Sequence, residues 1–208
     1  MEEPNQTSAS LPSSSSVQNL PTQDPNNNSH APYTIKIIPQ TPEGVKFYLN
    51  SYRPFRLKML QESPKSFSST YAREISMSTQ SWESRVLHRR ARTFVAVAHN
   101  EDSGDAVILS ALTLVRADPL GGEDGGQGAS SSSGIPDFGV AVWEMAGMYT
   151  LPEARGRGIA AGIVRFAEEW VVERESDSET NALQGKGCAL RLAVMEGNQG
   201  ARGFYERV

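Results

Sequence analysis

A single cysteine, Cys188, in 208 residues excludes an internal disulfide and fits a reducing compartment. The three histidines, His30, His88 and His99, fall at no ligand spacing with that cysteine, so no zinc site is expected. No run approaches the ~18 apolar residues that a membrane span needs. The opening MEEPNQTSAS lacks the basic start and apolar core of a secretory signal. A cytoplasmic location without membrane association is the expectation. Positive charge is not in excess either: 20 Lys and Arg face 24 Asp and Glu, for a net charge of −4. That balance argues against a nucleic-acid-binding domain, which is usually basic. No internal repeat is present.

Hydrophobic residues make up only 38% of the chain, and the shortage is concentrated in a few stretches. Residues 1–32 are Ser, Asn, Pro and Gln, too polar to bury the surface that offsets ordering entropy, and read as a disordered tail. Residues 117–137 read as a flexible Gly/Ser-rich insertion, and 173–186 as a polar connection. What remains, 33–208 with its insertion, suits one domain.

Within it, Tyr33 to Ile38 is β-branched and predicts a first strand. Pro42 opens a helical segment in which Val45, Tyr48, Leu49, Tyr52, Phe55 and Met59 recur at helical spacing as far as Pro64. Ser63 to Thr70 has no periodicity and reads as a loop. Thr79 to His88, with Trp82 and Val86 four apart, predicts a short helix. Thr93–Ala98 and Ala106–Val115 predict strands joined by an acidic hairpin turn at 101–105.

The most informative stretch runs from Val140 to Trp170: a strand, a Gly/Arg turn and an amphipathic helix carrying Ile159, Ile163, Phe166 and Trp170 on one stripe. A strand that enters a helix through glycines leaves the first helical N–H groups unpaired, at the positive end of the helix dipole. Glycine also lets the backbone approach an anion closely. Arg155 and Arg157 add charge there, so residues 155–160 are a candidate pyrophosphate site. A strand from Cys188 to Val194 and a final helix from Asn198 complete the pattern.

Arg155-Gly156-Arg157-Gly158-Ile159-Ala160 resembles the R/Q-x-x-G-x-G/A signature of the GNAT N-acetyltransferase superfamily, which cradles the pyrophosphate of acetyl-CoA. A second block, Asn198 to Tyr205, resembles that family's strand–Asn–x–x–Ala–x–x–x–Tyr segment. The likeness follows the order of elements over 33–208 and is specific over 140–170 and 189–205. It implies a mixed α/β sheet flanked by helices, acetyl-CoA as cosubstrate and a small-molecule or peptide amine as acceptor. It also implies no metal and no covalent acyl-enzyme. Cys188 has no paired histidine and reads as a small buried strand residue.

The resemblance assigns roles by position. The backbone of Met148, Tyr149 and Thr150 would border the pantetheine arm where the strand splays, and Asn198 would join the cofactor site while capping its helix. The loop between the first two helices would border the acceptor. Two roles fit Tyr205: a core tyrosine, or the acid that protonates departing CoA thiolate, since a phenol titrating near ~10 can serve a thiol near ~8.5. Glu144 shares its strand parity with Val140, Val142, Ala146 and Met148, which reads as a buried face, where a carboxylate makes a stronger base. Glutamates at this point serve as bases in histone-acetylating relatives; the alternatives are a water relay or a bulge that turns Glu144 to solvent.

Two expectations concern the end of the chain. The family's domains continue with a further strand pair, whereas this sequence stops at Glu206-Arg207-Val208. An uncovered sheet edge invites pairing, so a homodimer over that edge, or a CoA-binding module with impaired catalysis, are the readings that follow. A dinucleotide-binding fold fits less well, because G-x-G-x-x-G after the first strand is absent.

Overall fold

The computed structural model describes residues 21–22, 32–99, 106–117, 140–176 and 187–208. Of the 1–32 tail only residues 21, 22 and 32 are described, and there Pro21 and Thr22 pair as a strand with Thr34 and Tyr33 where a disordered tail was expected. The hairpin turn at 101–105 and nearly all of the 117–137 insertion lie outside the described residues, as does 177–186 of the polar connection.

The described strands form one six-stranded sheet whose spatial order follows the sequence: β1 Pro21–Thr22, β2 Tyr33–Ile37, β3 Ala91–His99, β4 Ala106–Arg116, β5 Ala141–Thr150 and β6 Cys188–Leu192. Each neighbouring pair is antiparallel except β5 and β6, which are parallel. Parallel strands need a long crossover. Here it includes α5, Ile159–Ser176, an 18-residue helix lying along β2 to β6. The helix extends past Glu173, where a polar connection was expected, because Val171 and Glu175 still face the sheet and are buried.

Aromatic rings fill the layer under α5. Phe94 of β3 meets Phe166 and Trp170 edge-on, and Trp143 of β5 meets Trp170 at 5.2 Å. The indole N–H of Trp143 donates to buried Glu175 at 3.0 Å, and Arg116 donates to the other oxygen at 2.9 Å. The polar tip of a fully buried tryptophan is thereby satisfied.

The other side of the sheet carries α1 Pro42–Phe47, a π-helical turn Tyr48–Tyr52, α2 Arg53–Glu62, α3 Tyr71–Ile75 and α4 Thr79–Val86. Thr41 caps α1 by accepting the Gly44 N–H. The first three form one long helix with a widened middle. Pro54 has no N–H to donate and its ring crowds the carbonyl four residues back, and the π turn immediately before it makes that room. Helix α3, which follows the expected loop at Ser63–Thr70 and to which the sequence pattern assigns no element, is one short turn anchored by Glu74, whose buried contacts come from distant residues. Tyr48 and Tyr52 stack at 4.5 Å beside fully buried Trp82, closing this second layer of core. Among the described residues no helix is long and apolar enough to cross a membrane.

Candidate acetyl-CoA site

Strand β5 changes character at Gly147. In its pairing with β4, Thr113 stands opposite Ala146 but Ala111 stands opposite Tyr149, so β5 carries one extra residue. Gly147, at φ +62°, takes up that residue in a conformation open mainly to glycine. The bulge reverses which face alternate residues occupy. Trp143 looks toward α5, whereas Tyr149, six positions on, packs edge-on against Phe55 and Phe67 of the helical side. Pairing between β5 and β6 runs from Ala141/Cys188 to Met145/Leu192 and stops there, while β5 continues to Thr150. The two parallel strands part at the bulge.

A short 3₁₀ turn, Pro152–Ala154, then leads to the Gly/Arg turn. Gly156 and Gly158 both hold left-handed backbone, at φ +76° and +73°, with Arg157 between them. A Cβ added at either would meet nothing within 4 Å, so their substituent-free faces border open space at the start of α5. Ile159 is buried and Ala160 half-buried, which anchors the first turn of that helix to the core. Arg155 donates from Nε to the Thr150 carbonyl at 3.2 Å and lies over the Tyr149 ring at 5.6 Å; Arg157 lies over the Tyr33 ring at 5.7 Å. Backbone N–H groups, left-handed glycines and two cations converge at one helix N-terminus, which is what a pyrophosphate group requires.

The bulge region is tied in on both sides. Ser110 of β4, fully buried, donates to the Tyr149 carbonyl at 2.9 Å and bonds the Thr150 hydroxyl at 2.8 Å. The Tyr149 hydroxyl donates to Glu62 of α2 at 2.7 Å; burial, reinforced by that carboxylate, raises the phenol above its ordinary value. Met148 is half-buried against the core.

Glu144 does not occupy a buried face. The buried residues of β5 are Trp143, Met145 and Tyr149, while Glu144 keeps 21% exposure and Ala146 is exposed. Counting by parity misassigns the strand because the layer under α5 takes the odd residues and the bulge then switches faces. Glu144 forms an ion pair with Arg191, its register partner on β6. Its carboxylate is only partly exposed and already has a cationic partner.

Helix α6, Gln199–Tyr205, begins where the sequence places it, with the Asn198 side chain accepting the Ala201 N–H at 3.1 Å. Tyr205 is half-buried against the core, its ring 5.0 Å from that of Phe204. Burial pushes its phenol up to about 12. The group therefore keeps its proton throughout the neutral range, and giving it up costs more than for an ordinary phenol. Among the described residues no group of three or more His, Cys, Asp or Glu is placed to hold a metal ion.

Sequence reasoning missed Glu62, Arg56, Glu74 and Arg191 as neighbours of this region. Each meets its partner across at least 18 positions, beyond the reach of any helical or strand period.

With this geometry in view, comparison with known proteins gives a consistent result. A family model, Acetyltransferase (GNAT) family, matches residues 58–208, more than half of the chain. The protein belongs to the GNAT acetyltransferase family. No curated protein sequence matches it. Among solved structures it is similar to an aminoglycoside acetyltransferase from an uncultured soil metagenomic sample, at 12% identity, covering 84% of this chain and 86% of that one with a TM-score of 0.53. It is also similar to the ribosomal-protein-alanine N-acetyltransferase of Brucella melitensis biovar Abortus 2308, at 14% identity, 85% and 90% coverage and a TM-score of 0.48. The family implies acyl transfer from acetyl-CoA, and the mixed sheet flanked by helices is the fold of that family.

Proposed function

We propose that the protein transfers the acetyl group of acetyl-CoA to a primary amine, carried by a small molecule or a peptide, through direct attack of the amine on the thioester. The observation that carries this reading is the pair of left-handed glycines flanking Arg157, just beyond the point where β5 parts from β6. Acetyl-CoA supplies an acyl group activated as a thioester; the chain supplies position, charge and protons.

Arg155, Arg157 and the backbone from Gly156 to Ala160 hold the pyrophosphate, with Arg155 releasing the Thr150 carbonyl to do so. The backbone of Met148, Tyr149 and Thr150, no longer paired with β6, borders the pantetheine arm, and Asn198 fixes the start of α6 beside it. An alkylamine near pKa ~10 is mostly protonated at neutral pH, and only its neutral form attacks. Glu144 receives that proton, directly or through a water. Tyr205, protonated across the neutral range, gives its proton to the departing thiolate.

Calorimetric titration with acetyl-CoA tests the donor site. Saturable binding is expected for the wild-type protein and none for Arg155→Ala/Gly158→Glu, which removes a cation and sets a carboxylate into the turn. Turnover is then measured with spermidine and with a lysine-containing peptide, using Tyr205→Phe as control. A folded wild-type protein that does not bind acetyl-CoA refutes the reading, and binding without turnover of any amine leaves a CoA-binding module.

A further inference from the structure

Arg56 is the side chain that reaches from the helical layer to the bulge. Its Nε and Nη2 donate to the two oxygens of Glu74 at 3.0 and 2.7 Å, a forked pair joining α2 to α3. Glu74 is fully buried, and Arg85 of α4 donates to its Oε2 at 3.0 Å. The guanidinium is therefore held in one orientation by a partner that cannot move into solvent. It also lies over the Phe67 ring at 5.4 Å, and Phe67 in turn meets Tyr149 edge-on.

The remaining nitrogen, Nη1, faces β5. A methyl group built on Gly147 would stand 3.2 Å from it, while the sulfur of Met59 is 3.8 Å away. Gly147 is the residue at which β5 switches faces and beyond which it has left β6. The bulge thus rests against a cation that is itself clamped. Its conformation sets where the backbone of Met148 to Thr150 lies relative to Glu144.

We propose that Arg56, clamped by Glu74, is a positioning residue that braces the bulge at Gly147 and so fixes the reacting stretch of β5 against the helices of the acceptor side. Its catalytic consequence rests on the acetyl-transfer reading. A misplacement of about 1 Å in such a stretch is enough to cost on the order of 10²-fold in rate. The competing view is that the Arg56–Glu74–Arg85 cluster only ties three helices together. The two views separate because Arg85 shares Glu74 and lies on α4, away from Gly147.

The test compares Arg56→Lys with Arg85→Lys in the full chain. Lysine keeps the charge but has neither the fork nor the nitrogen facing Gly147. Arg56→Lys is expected to lower kcat by about 10- to 100-fold with spermidine or a lysine-containing peptide, while KM for acetyl-CoA moves less than about threefold. Arg85→Lys is expected to lower Tm with kcat retained. Amide hydrogen exchange over Gly147–Thr150 should be faster in Arg56→Lys than in Arg85→Lys, a readout that needs no acceptor. Combining Arg56→Lys with Gly147→Ala should cost less than the product of the single losses, because the added methyl no longer meets a clamped guanidinium. Equal exchange rates over 147–150 in the two lysine variants overturn the proposal, as does an unchanged kcat in folded Arg56→Lys. Failure of wild-type protein to bind acetyl-CoA would instead sink the parent reading, and the exchange comparison still decides the brace.

Discussion

Glu144 and Arg191 stand directly opposite one another across the parallel β5–β6 pair and form an ion pair in which both side chains are partly exposed. The candidate base thus has an electrostatic partner supplied by the strand on the far side of the α5 crossover. A residue acting as the base must let that partner go, or work through a water, when the ammonium arrives.

Glu144→Gln should therefore lower kcat by about 10²- to 10⁴-fold, the usual contribution of a positioned base, with little change in acetyl-CoA affinity. Arg191→Met should retain turnover, and the double variant should be no worse than Glu144→Gln alone. Steady-state kinetics on the three variants checks this. Full activity in Glu144→Gln would remove the residue from the chemistry.

Two classes of glycine should respond differently to alanine. At Gly156 and Gly158 the added methyl meets open space, so the loss is the left-handed backbone, about 1–2 kcal/mol each. Acetyl-CoA binding should weaken with it. At Gly44 the methyl would lie 1.8 Å from the Pro39 carbonyl oxygen, so α1 cannot keep its place. Thermal denaturation should show a modest drop in Tm for the first two and a much larger one for Gly44→Ala.

Glu74 makes stability depend on acid pH. Burial alone would raise its carboxyl, but the hydrogen bonds and charge of Arg56, with Ser69 and Arg85, carry it from 4.5 down to about 2. A carboxyl depressed on folding stabilises above its unfolded value and loses that contribution as pH falls through the folded one. The difference amounts to about 3 kcal/mol, lost between about pH 4.5 and pH 2. Glu74→Gln should be less stable at neutral pH and show a flatter stability profile across that window, as urea unfolding at a series of pH values would reveal.

Tyr205, raised to about 12 by burial, should remain a proton donor well past pH 9. Its neutral form is favoured on folding, so its contribution to stability is present below about pH 10 and is lost as pH rises toward 12. Spectrophotometric titration should show one fewer late phenol in Tyr205→Phe than in the wild type, where burial also raises Tyr48 and Tyr149. If that phenol is the acid for the leaving thiolate, Tyr205→Phe lowers kcat far more than it alters acetyl-CoA binding. Equal kcat in the two proteins would return Tyr205 to a packing role.

Local chemistry determined a large part of this protein in advance. The glycines of the 155–160 turn, the β-branched run at 33–38, the Ile159–Trp170 stripe and the Asn198 cap each declare a conformation through residues a few positions apart, and the structure forms the corresponding elements. The order of those elements was enough to indicate the family. Long-range partnership was not legible. The bulge at Gly147 has no local signature beyond one glycine, yet it puts Tyr149 on the opposite face from Trp143, and nothing local showed that Trp143 and Met145, rather than Glu144, face α5. The ion pair of Glu144 with Arg191 exists only because α5 carries β6 back alongside β5. The Glu74 clamp joins three helices whose contacts have no sequence period. Short-range rules describe how a backbone turns; which charged side chains end up neutralising one another is decided only when the sheet and its two helical layers close.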